Sequence, residues 1–180
     1  RYARAWAPLA SAIENDSTKV FQMPAHCTEA DIGVLSHVDL DANDFVDSVR
    51  FKAVYGALVA QLDIGGGHAD VVNHRFWITK HVVPAIWSLA MAVGTDALWK
   101  PLNHEILLKT RSRDPRVRWA ALHAISSLYE HAGEDMLSLL PETIPFIGEA
   151  LEDPDADVAS LCKDLKSMIE EVSGEKLDEY

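Results

Sequence analysis

Residues 109–118 carry Lys109, Arg111, Arg113, Arg116 and Arg118, five cations in ten positions of a chain whose formal net charge is −12. A guanidinium is a planar fork that grips phosphate oxygens in pairs, so such a stretch could neutralise several phosphates of an RNA backbone. The competing reading is structural. Where helical units stack, a turn aspartate of one unit bonds an arginine of the next, which would set Arg118 on Asp153 or Asp155 and leave the other cations solvated. The structural reading is favoured, because the residues downstream are strongly acidic and no aromatics are interleaved for base stacking. Trp119 is assigned to the core.

The remaining chemistry-bearing residues form no catalytic set. His104-Glu105 joins an imidazole to a carboxylate, a combination that suits iron, but no second pair follows at any repeat spacing. His68, His74 and His81 are spaced by six and seven, so His74 and His81 could share a helical face as core or solvated side chains. Gly65-Gly66-Gly67 lacks the Gly-Lys-Ser/Thr ending of a phosphate loop, and no Gly-x-Ser-x-Gly occurs, so the glycines read as a linker. Glu142 and Glu149, or Asp153 and Asp155, could be named as paired carboxylates, but they belong to a generally acidic surface. Cys27 and Cys162 give neither a disulfide framework nor a zinc module, which fits a reducing compartment. No catalytic, cofactor-binding or metal-ligating residue is assigned.

Composition narrows the classes further. A chain of 180 residues with 48% hydrophobic content can bury a core, which excludes disorder of the whole. Its 28 acidic against 16 basic residues argue against a generic nucleic-acid binder. Charge is unevenly spread: residues 100–131 hold six basic and three acidic residues (net +3), residues 132–180 three and fourteen (net −11). The acidic end could receive a basic partner such as a lysine-rich tail. No apolar run reaches the roughly 20 residues of a membrane helix, and no signal segment opens the chain, so no membrane partner is expected. A chain opening on Arg1 is expected to be part of a longer polypeptide.

The elements that must carry these residues are helices. Over 156–173, Val158, Leu161, Leu165, Ile169 and Val172 form one apolar stripe, and Gly174 supplies the stop. This one-sided helix is expected to cap the molecule, packed on residues 140–151. From 116 to 131, Val117, Ala121, Ala124, Ile125 and Leu128 form one face and Trp119, Leu122 and Tyr129 a second, which requires neighbours on both sides. Residues 135–152 form a further helix, with Pro141 in a first turn and Pro145 expected to bend or break it. Upstream, Asn43 caps a helix to Leu62 with Phe45, Val49, Ala53 and Ala57 on one face; a helix over 68–93 is interrupted near Pro84; Thr95 caps one through Lys109.

Two turns match. Asp114-Pro115-Arg116-Val117 recurs as Asp155-Ala156-Asp157-Val158, 41 residues later, within the about 40 to 47 of HEAT and armadillo repeats. The expected fold is an all-α HEAT-repeat solenoid of antiparallel helix pairs. Its parts are an N-terminal helix with an irregular segment over 1–42, degenerate repeats over 43–94, and C-terminal repeats over 95–180, with residues around 16–42 and 62–68 as plausible junctions.

Specific residues then point to a family. Trp-Lys-Pro-Leu-Asn-His-Glu at 99–105, the turn at 111–119, Leu-Leu-Pro-Glu-Thr-Ile-Pro-Phe at 139–146, Leu-Glu-Asp at 151–153 and Gly-Glu-Lys-Leu at 174–177 resemble the C-terminal region of the HEAT repeat-containing protein 1 family, also known as U3 small nucleolar RNA-associated protein 10. The resemblance is close over 96–180. It implies a nucleolar, non-enzymatic scaffold of the small-subunit processome, needed for transcription and processing of pre-ribosomal RNA. The partners so implied are the other subunits of the early subcomplex on the 5′ external spacer, with pre-ribosomal and small nucleolar RNA in the assembly. No cofactor is implied, and no functional residue transfers one by one. The alternatives are a HEAT adaptor for transport or phosphatase scaffolding and, because of His104-Glu105, a resemblance in architecture to the di-iron deoxyhypusine hydroxylases.

Overall fold

The computed structural model describes residues 48–64 and 70–177. The Asn43 cap, Phe45, the segment 1–42, Cys27, Gly65-Gly66-Gly67 and His68 lie outside the described residues. Among the described residues seven α-helices follow one another: α1 (Ser48–Ile64), α2 (Val71–Trp77), α3 (Val83–Val93), α4 (Asp96–Lys109), α5 (Pro115–Ala132), α6 (Leu140–Leu151) and α7 (Ala156–Ser173). A π-helical stretch, Ile78–Val82, joins α2 to α3, and a 3₁₀ stretch, Gly133–Leu139, precedes α6.

The helices form two layers of an all-α HEAT-type solenoid. One layer holds α1, α4 and α6; the other holds the α2–α3 rod, α5 and α7. Each helix packs on its chain neighbour across the layers and on its equivalent in the next pair within a layer.

Local sequence explains each joint. Pro84 has no N–H to donate to Lys80, so the chain stays helical by widening: the Val83 amide bonds the Ile78 carbonyl five residues back. The expected interruption near Pro84 is therefore a π turn within one rod. Gly94 ends α3 at φ 52°, in the left-handed region that costs a side-chain-bearing residue most. Thr95 occupies the cap of α4, but its carbonyl, not its side chain, accepts the Leu98 and Trp99 amides. Pro145 does not break its helix: α6 runs through it, and the change of helix type falls earlier, at Leu139–Leu140, ahead of Pro141.

The core corrects two expected faces. In α1 Ala57 is buried as expected, alongside Phe51, Tyr55, Leu58, Val59 and Leu62, while Ala53 is only half-buried, because bulky side chains fill most of the gap between helices. In α7, Val158, Cys162, Leu165 and Ile169 are buried and Leu161 is half-buried. The stripe is rotated toward Cys162 because α7 packs on α5 as well as on α6, rather than lying over 140–151 alone.

Candidate functional site

The arginine turn stands between α4 and α5 and is built by its own backbone. Asp114 takes an extended conformation (φ −86°, ψ 118°) and its carboxylate accepts the Arg116 amide at 2.9 Å, while Pro115 opens the helix without wasting a donor. Asp155 repeats this at φ −86°, ψ 121°, accepting the Asp157 and Val158 amides at 3.1 and 3.2 Å. The 41-residue spacing seen in the sequence is thus a repeat of cap geometry.

Arg118 locks the two turns together. Its Nε and Nη2 donate to the two Asp153 oxygens at 2.6 and 2.7 Å, and Nη1 donates to the carbonyls of Ser112 and Arg113 at 3.0 and 3.2 Å. Asp153 in turn accepts the Asp155 amide at 2.8 Å. Side-chain exposures of 13% and 7% mark this as a largely desolvated pair. Burial pushes the Asp153 carboxyl upward, but the Arg118 hydrogen bonds, the Asp155 amide and the Arg118 charge together bring it below the ordinary aspartate value.

The other cations are distributed over different neighbours. Arg111 forms a two-pronged pair with Glu149 on α6 (2.7 and 2.6 Å) and its guanidinium lies 4.2 Å from the Phe146 ring centroid. The Arg111 hydrogen bonds lower the Glu149 carboxyl and raise the arginine. Arg116 turns back on its own cap, Asp114, at 2.6 Å, which lowers that carboxyl. Lys109 pairs with Asp63 on α1. Arg113 is exposed, and its side chain meets no partner among the described residues. The five cations therefore do not converge on one surface point: Lys109, Arg111 and Arg118 tie α4 and α5 to neighbouring units, Arg116 stays within its own turn, and Arg113 is exposed.

His104 and Glu105 do not act together. The His104 Nδ1 faces Glu142 Oε1 on α6 at 2.9 Å, so its partner is 38 residues away, the same offset as Arg111 to Glu149. A constant offset requires α4 and α6 to run in the same direction, as equivalent helices of a solenoid do. It also separates Glu142 from Glu149, each turned to its own partner on α4. Asn103 joins the same seam, donating to Thr143 Oγ1 at 3.3 Å. His74 is buried, and burial lowers its pKa; His81 is half-buried with its ring 4.9 Å from that of Trp77. Among the described residues no three of His, Cys, Asp and Glu gather as a metal site would require. Cys162 is buried, its thiol pushed up to about 11 by burial and by the Asp153 charge, so it is a packing group.

A second ladder escaped the sequence reading. Arg75 on α2 donates to Asp157 on α7 at 2.6 Å and lies 4.7 Å from the Trp119 ring, whose stacked neighbour is His123 at 5.1 Å. Trp119 is therefore half-buried, sandwiched rather than sealed in the core. Trp87 stacks on His131 at 4.0 Å. Asp70, which caps α2 through Asn73, precedes Asp114 by 44 residues, the offset that also separates Arg75 from Trp119 and Trp87 from His131. That offset was the available signal, hidden by the absence of a matching Asp-Pro motif. Among the described residues no helix is long and apolar enough to cross a membrane.

No family model matches the chain. It is 40% identical to human HEAT repeat-containing protein 1 over 140 residues, 78% of this chain and 6% of that protein. It is also 40% identical over 130 residues to the Dictyostelium discoideum homologue of HEAT repeat-containing protein 1, 72% of this chain and 6% of the relative. With U3 small nucleolar RNA-associated protein 10 of Aspergillus terreus it shares 30% over 182 residues, 95% of this chain and 9% of the relative. The chain thus spans a small fraction of the length of the relatives it matches. Similarity over most of the chain, carried on stacked helix pairs, makes it a member of the HEAT repeat-containing protein 1 family.

Proposed function

We propose that this chain is part of a non-enzymatic scaffold in ribosome biogenesis, a component of the small-subunit processome needed for transcription and processing of pre-ribosomal RNA. The observation that carries the reading is similarity to proteins named U3 small nucleolar RNA-associated protein 10 over 95% of the chain. The geometry is in keeping with it: the charged side chains of the turns are spent on holding helix pairs together, which leaves extended helix surfaces as the working part. The partners are then the other subunits of the early subcomplex on the 5′ external spacer, and the place is the nucleolus. Within the chain, residues 95–180 act as the C-terminal repeats, capped by α7, and 43–94 as degenerate repeats preceding them.

Affinity purification of the tagged chain from nucleolar extract tests this. Recovery of processome subunits with U3 RNA is expected; recovery of transport receptors or a phosphatase catalytic subunit instead would favour a HEAT adaptor of another pathway.

Direct RNA contact through Lys109, Arg111, Arg113, Arg116 and Arg118 is a second reading, favoured by the free, exposed side chain of Arg113. Four of these cations would have to leave a carboxylate to reach phosphate, so Arg113 is the first to engage. Fluorescence anisotropy with a 5′ external-spacer RNA decides it: salt-dependent binding, weakened by Arg113→Glu and abolished by a further change of Arg111 and Arg116 to Glu, supports contact. Absence of binding assigns the turn to stacking alone.

A further inference from the structure

Among the described residues five large hydrophobic side chains are exposed, and three of them stand on the short helix α2: Val71 at 46%, Val72 at 77% and Phe76 at 54%. We propose that this face of α2 receives an acidic amphipathic segment of a partner protein, which covers Val72 and Phe76 with apolar side chains and brings a carboxylate to Lys80.

Burial divides the helix. His74 and Trp77 turn inward, and α2 packs on α5 and on the π-helical stretch that continues it. Val72 and Phe76, four residues apart, form a ridge on the outer side, and Lys80, also exposed, follows at the next step. From Val72 to Lys80 the ridge runs about 12 Å, a little over two helical turns. A single exposed hydrophobe is ordinary; three together on one short helix mark a surface that gains by being covered.

The ridge is fixed before anything meets it. Asp70 accepts both the Asn73 amide and the Asn73 side-chain Nδ2 at 2.8 Å. Arg75 is held by Asp157 at 2.6 Å and by the Trp119 ring, and the His81 ring stands edge-on to Phe76 at 6.1 Å. A face so held loses little freedom on binding.

Charge selects the partner. Residues 71–93 contain Arg75 and Lys80 and no aspartate or glutamate, in a chain of net −12. Arg75 is committed to Asp157, whereas the exposed Lys80 meets no partner among the described residues. Of the nearby carboxylates, Asp70 is spent on the cap of α2 and Asp157 on Arg75. An open ammonium beside aliphatic and aromatic side chains suits an apolar segment that carries carboxylates. One such cation is too few for the phosphates of an RNA strand, and valines give bases nothing to stack on. The inference rests on the scaffold reading, since it names what one of the scaffold's surfaces would hold.

The test uses the whole chain, ¹⁵N-labelled, and two short helical peptides with leucines on one face and either glutamates or lysines on the other, followed by NMR and by anisotropy. Expected with the glutamate peptide are shifts confined to residues around 70–81, with binding at least about tenfold weaker for Phe76→Ala and for Lys80→Glu at unchanged thermal stability. The lysine peptide should not bind. In a Val72→Cys variant, a maleimide should label the introduced thiol in the free chain, and the glutamate peptide should slow that labelling. Absence of binding, shifts scattered over other helices, binding untouched by Phe76→Ala, or equal binding of the lysine peptide would each overturn the proposal. So would a thiol at position 72 that resists labelling in the free chain, because the chain or a second copy of it would then already cover α2. Such a failure leaves co-purification with the processome intact, so the two readings fail separately.

Discussion

Arg118 and Arg111 make the same two-pronged bond to a carboxylate, yet they differ in surroundings, and that difference sets what each contributes. The Arg118–Asp153 pair is nearly closed to water, so Arg118→Ala strands a buried carboxylate and removes the link between two turns. We expect a loss of about 2 to 3 kcal/mol by urea denaturation, with the Arg118→Ala/Asp153→Ala double variant losing less than the sum of the singles. Arg111→Ala, at an exposed pair, should shift the midpoint measurably less. The acid response follows from the same groups. His74 and His123 have pKa values lowered by burial, so the stability they confer is present above the ordinary histidine value of 6.5 and lost as pH falls below it. Asp114, Asp153 and Glu149 are lowered as well, and theirs is lost below the ordinary 3.8 to 4.5. Thermal unfolding at pH 7.5, 5.5 and 3 should therefore fall in two stages; a flat profile down to pH 5 would contradict the lowered pKa values of His74 and His123.

At the scale of the element, caps and helix breakers are the most legible features. Asp155 satisfies two amides at the start of α7, so Asp155→Ala should cost about 1 kcal/mol with no change of fold by circular dichroism. Gly148→Ala should do the reverse, raising stability by about 0.5 to 1 kcal/mol, since a methyl group there meets open space. Asp-Pro and Asp-Ala at a 41-residue interval could be read directly because capping is local: one carboxylate and the next three amides suffice. Proline was read less well. The missing donor of Pro84 is absorbed by a π turn and that of Pro145 within α6, because packing on both sides of a helix outweighs the loss of one backbone bond.

In the whole molecule each helix pair is held by the next, which makes unfolding cooperative across the layers. The tryptophans at 77, 87, 99 and 119 all lie outside α7. Leu165→Ala in α7 should lower stability by about 2 to 5 kcal/mol, and tryptophan fluorescence and circular dichroism should move together. Helicity lost ahead of fluorescence would show instead that α7 unfolds by itself. The sequence alone determined the all-helical class, the repeat turn, the apolar faces of α5 and the acidic end, because periodicity, caps and charge are properties of neighbouring residues. It left Arg118 with two aspartates to choose from, gave no partner for His104, which the structure sets against Glu142, and missed the ladder at an offset of 44. Those were decided by tertiary structure: which side chains meet across a seam depends on the relative rise and rotation of stacked helices, and no spacing within one helix contains that information.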